Sequence, residues 1–139
     1  MQPQFQYPPD SLHLEVKKIS LYVMALLYTT TGVAHFISPG FFRKIVPRWI
    51  PFHEALVFIS GVFEILFALL LLFPVTRRIA AWCIIALLIA VFPANIEMML
   101  IYFRENKPGL WLTVLRLPFQ LVLIWWAHGF TKPLTAQSN

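Results

Sequence analysis

Four separate stretches of this chain are each long and apolar enough to cross a lipid bilayer, running over about 19–38, 52–73, 79–103 and 110–128. The hydrocarbon core of a bilayer is about 30 Å thick and takes about 20 helical residues to cross. Inside it every backbone N–H and C=O must be satisfied within the segment, so stretches of this kind are helices. Pro74 and Thr76-Arg77-Arg78 separate the second and third. Arg104-Glu105-Asn106-Lys107-Pro108-Gly109 separates the third and fourth, with Pro and Gly as breakers. Short turns make consecutive helices antiparallel neighbours. The expected fold is an all-α membrane protein: an antiparallel four-helix transmembrane bundle with both termini on one face.

Composition points the same way. Of 139 residues 59% are hydrophobic and only 12% charged, against about 45–50% and about 25% in ordinary soluble domains. A soluble core of this size has too little interior for so much apolar surface. The length suits one domain: a polar lead-in over 1–18, a membrane domain over 19–130 and a polar tail over 131–139. The first apolar run starts too late and runs too long for a cleavable signal peptide, so it is read as retained.

The connection between the first two spans differs in kind. Residues 39–51 mix Phe41, Phe42, Ile45, Val46, Trp49 and Ile50 with three cations and three prolines. A soluble loop needs no such apolar content. An interfacial segment does, with aromatics at headgroup depth and Arg/Lys reaching outward, and it is expected to fold over one mouth of the bundle.

The net charge of +5 does not call for nucleic acid, because the cations lie in the connections. Lys17, Lys18, Arg77, Arg78 and Lys132 fall on one side, and Arg43, Lys44, Arg48, Arg104 and Lys107 on the other. Five against five is a tie under the positive-inside rule, so orientation stays open. The single cysteine, Cys83, allows no disulfide or CxxC pair and reads as a small hydrophobe.

Polar residues inside the spans are the chemically informative ones. They are His35 in the first, Glu64 in the second, Asn95 and Glu97 in the third, and Arg116 and Gln120 in the fourth. Such groups face the bundle interior and find partners. At 1.5 Å per residue all six fall within about 5 to 18 Å of the side holding the first and third connections. The opposite end is apolar, with ALLLLF and IAAWCIIALL. One half is polar and the other sealed.

Tyr28, Thr31 and His35 share one helix face, as do Thr113, Arg116 and Gln120. Asn95 and Glu97 stand about 200° apart on an undistorted helix. Pro93 removes a donor beside them and frees the carbonyl near Ile89. The favoured arrangement has Asn95 inward and Glu97 nearer the mouth. The cheapest electrostatic solution pairs Arg116 with Glu64, Glu97 or both. A purely structural ion pair that fixes helix register is the competing reading.

The pieces Gly32-Val-Ala-His35, Gly61-Val-Phe-Glu64-Ile, Pro93-Ala-Asn95-Ile and Arg116-Leu-Pro118-Phe-Gln120 resemble signatures of the DoxX/DoxX-like membrane protein family. So does Ile45-Val-Pro-Arg-Trp-Ile-Pro51. The likeness runs over about residues 20 to 128. It implies a four-helix integral protein of the bacterial inner (plasma) membrane. Some relatives in that family are subunits of quinone-linked sulfur oxidoreductases or redox-associated accessory proteins, and distant ones assist membrane-protein assembly. With no cysteine pair here, a thiol-based role does not carry over.

Three function classes follow. The first is an accessory subunit that meets a quinone or another small molecule in the polar half, with electrons from a redox partner protein. Such a site is an apolar slot with a few donors. The second is a non-catalytic assembly factor, and the third, weakened by the sealed end, is a transporter or proton pathway. No motif marks a metal, haem or nucleotide. No residue is marked as catalytic, so an enzyme acting alone is not expected.

Overall fold

The computed structural model describes residues 9–134. The first eight residues of the expected lead-in, and 135–139 of the expected tail, lie outside them. Five helices follow in order: α1 (Pro9–Ile37), α2 (Pro39–Ile45), α3 (His53–Leu72), α4 (Arg77–Arg104) and α5 (Leu110–His128), with a single 3-10 turn at Gly129–Thr131. Among the described residues there is no strand. The four long helices are each long and apolar enough to cross a membrane, as an integral membrane protein requires. Only 17% to 33% of their most apolar windows is buried inside the protein. Leu26, Phe58, Ile59, Leu69, Leu121 and Trp125 are among the apolar side chains left outside. Hydrocarbon is a medium that accepts them; water is not.

α1 begins ten residues before the expected span. Nothing in Asp10-Ser-Leu-His-Leu-Glu-Val-Lys-Lys breaks a helix, and Lys18 pairs with Glu15 at 2.8 Å one turn back. The polar turns simply extend the apolar helix beyond its hydrocarbon length. Within residues 39–51 the chain forms the short α2, and it then enters α3 through Phe52 in a left-handed conformation (φ 60°). Gly109 (φ 93°) starts α5, a position where a side chain would be strained. Between α3 and α4 the turn is closed by side chains. Thr76 Oγ1 donates to the Leu70 carbonyl at 2.7 Å, and Arg77 donates to those of Leu71 and Leu72 at 3.1 Å each. These are the carbonyls a helix leaves unpaired at its C-terminus.

α1 packs on α3, α3 on α4, and α4 on α5, while α2 lies against α3 and α4. Trp126 Nε1 donates to Ser20 Oγ at 2.7 Å, tying α5 back to α1. The apolar core gathers Leu21, Met24, Ala68, Leu71, Ile84 and Ala127 with their neighbours. All belong to the end of the helices away from α2.

α1 and α3 approach each other closely at two glycines. A Cβ on Gly32 would lie 2.7 Å from Ile65 Cγ1 and 2.9 Å from the Gly61 carbonyl. One on Gly61 would lie 2.8 Å from His35 Cβ and 3.0 Å from the Gly32 carbonyl. Small residues that let two backbones touch are the usual means of joining helices in lipid, where apolar side chains gain nothing by leaving the solvent. Gly61→Val is therefore expected to force the helices apart and to cost about 1–3 kcal/mol by overpacking. Gly129→Ala, with no atom within 4 Å of its new Cβ, should be silent. Thermal melting of both variants in detergent checks this, and equal melting would remove the contact from the account.

Candidate functional site

The glycine contact sets the site. Each glycine is followed three residues later by an ionisable side chain, His35 on α1 and Glu64 on α3, so one close approach brings both into the same space. His35 Nδ1 stands 3.7 Å from Glu64 Oε2 and 2.8 Å from the Thr31 carbonyl. With acceptors on both sides, Nδ1 is the nitrogen that carries a proton. The ring stacks on Phe42 of α2 with centroids 3.8 Å apart, which fixes its plane. Both side chains are about nine-tenths out of solvent (His35 9% exposed, Glu64 8%).

They line a cavity of about 300 Å³. Its apolar wall comes from α3 (Leu56, Ile59, Phe63) and α4 (Leu87, Ala90, Val91). Phe42, Ile45, Val46, Pro47 and Ile50 cover it from the interfacial side. Leu56, Ile59 and Phe63 are also exposed on the outside of the helices, so the cavity abuts the lipid-facing surface. Its polar groups are His35, Ser60, Glu64, Asn95 and Arg116. Ser60 Oγ and Glu64 Oε2 are buried without a hydrogen-bond partner among the described residues, as is Tyr28 Oη beside them. Buried polar atoms are nearly always paired, so two such atoms on one cavity wall mark a place built to meet something. Sequence reasoning missed Ser60 as a site residue. Its signal was present: it lies four residues before Glu64 on one helix face.

Asn95 and Gln120 do something else. Asn95 Nδ2 donates to Gln120 Oε1 at 2.5 Å, and Gln120 Nε2 donates to the Leu88 carbonyl. Pro93 lies inside α4 and offers no N–H to Ile89. Gln120 thus attends to the stretch of α4 just before its missing rung. The two amides (7% and 2% exposed) clamp α5 to α4, and only Asn95 also reaches the cavity.

Glu97 and Arg116 depart from the expected pairing. Glu97 faces a different hollow, at the α2 end of α4, and its nearest cation is Arg104 at 3.9 Å. Arg116 lines the cavity edge but is exposed, and no carboxylate lies within ion-pair distance of it. The depths matched, but depth along a helix says nothing of azimuth, and Arg116 points past the carboxylates. The site thus unites His35, Glu64 and Asn95 with Ser60, sets Arg116 at the rim, places Gln120 behind Asn95 and leaves Glu97 outside. Among the described residues no group of three His, Cys, Asp or Glu could hold a metal ion. Arg116→Gln is expected to melt within about 0.5 kcal/mol of the parent, as exposed substitutions do. A large loss of stability, followed in detergent, would restore the buried ion pair.

No curated protein and no solved structure matches the chain. One family model does, over residues 24–131, a range that holds the glycine contact, the cavity and the amide clamp. The chain belongs to that family, described as a domain of unknown function (DUF8561).

Proposed function

We propose that this protein is a bacterial inner-membrane protein whose four long helices form an antiparallel bundle. Its cavity would take the polar head of a quinone or similar lipid-soluble molecule as an accessory subunit of a redox-associated complex. The observation that carries the reading is Ser60 Oγ, buried without a partner among the described residues, beside Glu64 Oε2, which has no hydrogen bond and only the His35 ring 3.7 Å away, on the wall of a mainly apolar cavity. About 300 Å³ is the lower end of the volume range of small-molecule sites, which combine apolar walls with a few polar groups that orient the ligand. Ser60 offers a hydroxyl to a carbonyl or phenol oxygen. Glu64 accepts from a phenolic O–H, and Arg116 at the rim can meet a carbonyl. Because the cavity abuts the lipid-facing side, a ligand dissolved in the bilayer needs no aqueous route. Electrons would come from a partner protein. The resemblance to DoxX-like proteins supports the same assignment.

The Asn95–Gln120–Leu88 clamp favours a second reading, a non-catalytic assembly factor in which buried polar groups only hold helices together.

Ser60→Ala separates the two. It removes an unpaired buried hydroxyl, so stability should hold or rise slightly. Loss of one good hydrogen bond should still weaken ligand retention about tenfold. The measurement is ubiquinone and menaquinone extracted from the purified protein, beside its melting curve. Unchanged quinone content, or none in the parent protein, would move the assembly reading to first place.

For the topology, single cysteines at Trp49, Val75, Glu105 and Lys132 in a Cys83→Ala background are expected to label in two groups. Trp49 and Glu105 should react from one side of the membrane, and Val75 and Lys132 from the other. Labelling of Trp49 and Val75 from the same side would sink the antiparallel arrangement.

A further inference from the structure

Sequence counting left the cations tied between the two faces, but the structure uses them differently. On the face with the α3–α4 turn, Arg77 is occupied by backbone carbonyls and Lys18 by Glu15, while Lys17, Arg78 and Lys132 have no ion pair within 4.0 Å among the described residues. On the other face, cations from two regions of the chain converge on one hollow of about 520 Å³. Arg43, Lys44 and Arg48 come from α2 and the segment after it, and Arg104 and Lys107 from the end of α4 and its following turn.

The hollow is far from neutral. Five cations line it against two carboxylates, Glu97 and Glu105. Lys107 pairs with Glu105 at 2.6 Å, Arg104 stands 3.9 Å from Glu97, and Arg43 reaches out to Glu54. Lys44 and Arg48 have no ion pair within 4.0 Å among the described residues, and both are exposed. Their fields still reach Glu105, whose carboxyl is held below its usual range first by the Lys107 hydrogen bond and then by the surrounding cations. Two like charges left unpaired beside three more imply an anion to gather them.

The remaining lining identifies the kind of anion. Phe41, Ile45, Val46 and Ile101 give the hollow an apolar flank. It lies where a candidate span, Arg77–Arg104, ends, which is headgroup depth if that helix crosses the bilayer. We propose that this hollow binds an anionic phospholipid, its phosphodiester held by Lys44 and Arg48 with Arg104 and Lys107 in support. Its acyl chains would lie along Ile101 and the apolar side of α2. A free phosphate would satisfy the cations but not the apolar flank. The assignment uses the membrane placement of the helices and is independent of what occupies the His35–Glu64 cavity. It also gives α2 two roles, since the short helix that covers the cavity on one side holds lipid on the other.

The test uses the full chain in a neutral detergent, titrated with phosphatidylglycerol or phosphatidylcholine and read by native mass spectrometry. Phosphatidylglycerol should bind and phosphatidylcholine should not. K44Q/R48Q should bind phosphatidylglycerol about twenty-five-fold more weakly, at about a factor of five for each cation near an anionic surface. Melting of the double variant should be unchanged, since both residues are exposed. K17Q/K18Q, which removes the same charge from the opposite face, should bind like the parent protein. Equal binding of the two lipids, equal weakening by the two double variants, or undiminished binding by K44Q/R48Q would each overturn the proposal. If inorganic phosphate displaces the lipid at equal concentration, the hollow is an anion site without lipid selectivity, and the assignment fails.

Discussion

Backbone-to-backbone contact between α1 and α3 at Gly32 and Gly61 is the constraint from which the polar half of this protein follows. In lipid, burying another leucine between helices gains little, since hydrocarbon on the outside is as apolar as the interior. Close van der Waals contact is what remains, and it requires the absence of Cβ atoms where the helices cross. Because His35 and Glu64 each stand three residues after their glycine, the crossing also decides which ionisable groups meet. The 3.7 Å separation of Nδ1 and Oε2 is set by helix packing, with no long side chain bent to achieve it. Moving the helices apart by the width of one methyl group would change packing and chemistry together.

Much of this was legible in the sequence, for reasons that also explain what was not. Four spans could be read because length and apolarity are one-dimensional properties, and the bilayer sets their scale. The expected ends at 52, 73, 103 and 128 fall within one residue of the helices observed. The start of α1 could not be read this way, because hydropathy marks where hydrocarbon begins and not where a helix does. Asn95 and Glu97 separated as their angular spacing required, one inward and one to the α2 end. Arg116 went astray because a shared depth was treated as a shared face. On α5, Thr113 and Gln120 are buried while Arg116, between them in sequence, is exposed. Positions three and four apart span a wide arc, and a helix that packs chiefly on α4 buries only part of it. Ser60, four residues before Glu64 on one face, was legible as a polar residue but not as a site residue, because serine is ordinary in a membrane helix and its lack of a partner shows only in the structure.

Polar groups inside the spans therefore divide by what they bond. The amides of Asn95 and Gln120 bond each other and the Leu88 carbonyl, one residue before the Ile89 carbonyl that Pro93 leaves without its donor, and so join α5 to α4. His35 is partly answered by Thr31 and Glu64. Ser60 Oγ has no partner among the described residues, and Glu64 Oε2 has no hydrogen bond there, only the His35 ring 3.7 Å away. A scaffold that needed polar glue would be expected to use its hydroxyl and carboxylate as fully as it uses its amides. The contrast between two satisfied amides and two unsatisfied oxygens, one helix apart, is what favours a ligand over a structural role for the cavity.

The core beyond the cavity bears on how such a ligand would be used. Met24, Ala68, Leu71, Ala80, Ala81 and Ile84 are wholly buried and apolar, and they fill the interior between the cavity and the α3–α4 turn. Toward that turn the buried residues of α3 are Ala68 and Leu71, and a polar contact at that end joins Ser20 to Trp126. In the proposed binding, α2 covers the cavity from one side, with Phe42 stacked on His35, and α3 and α4 supply its apolar wall.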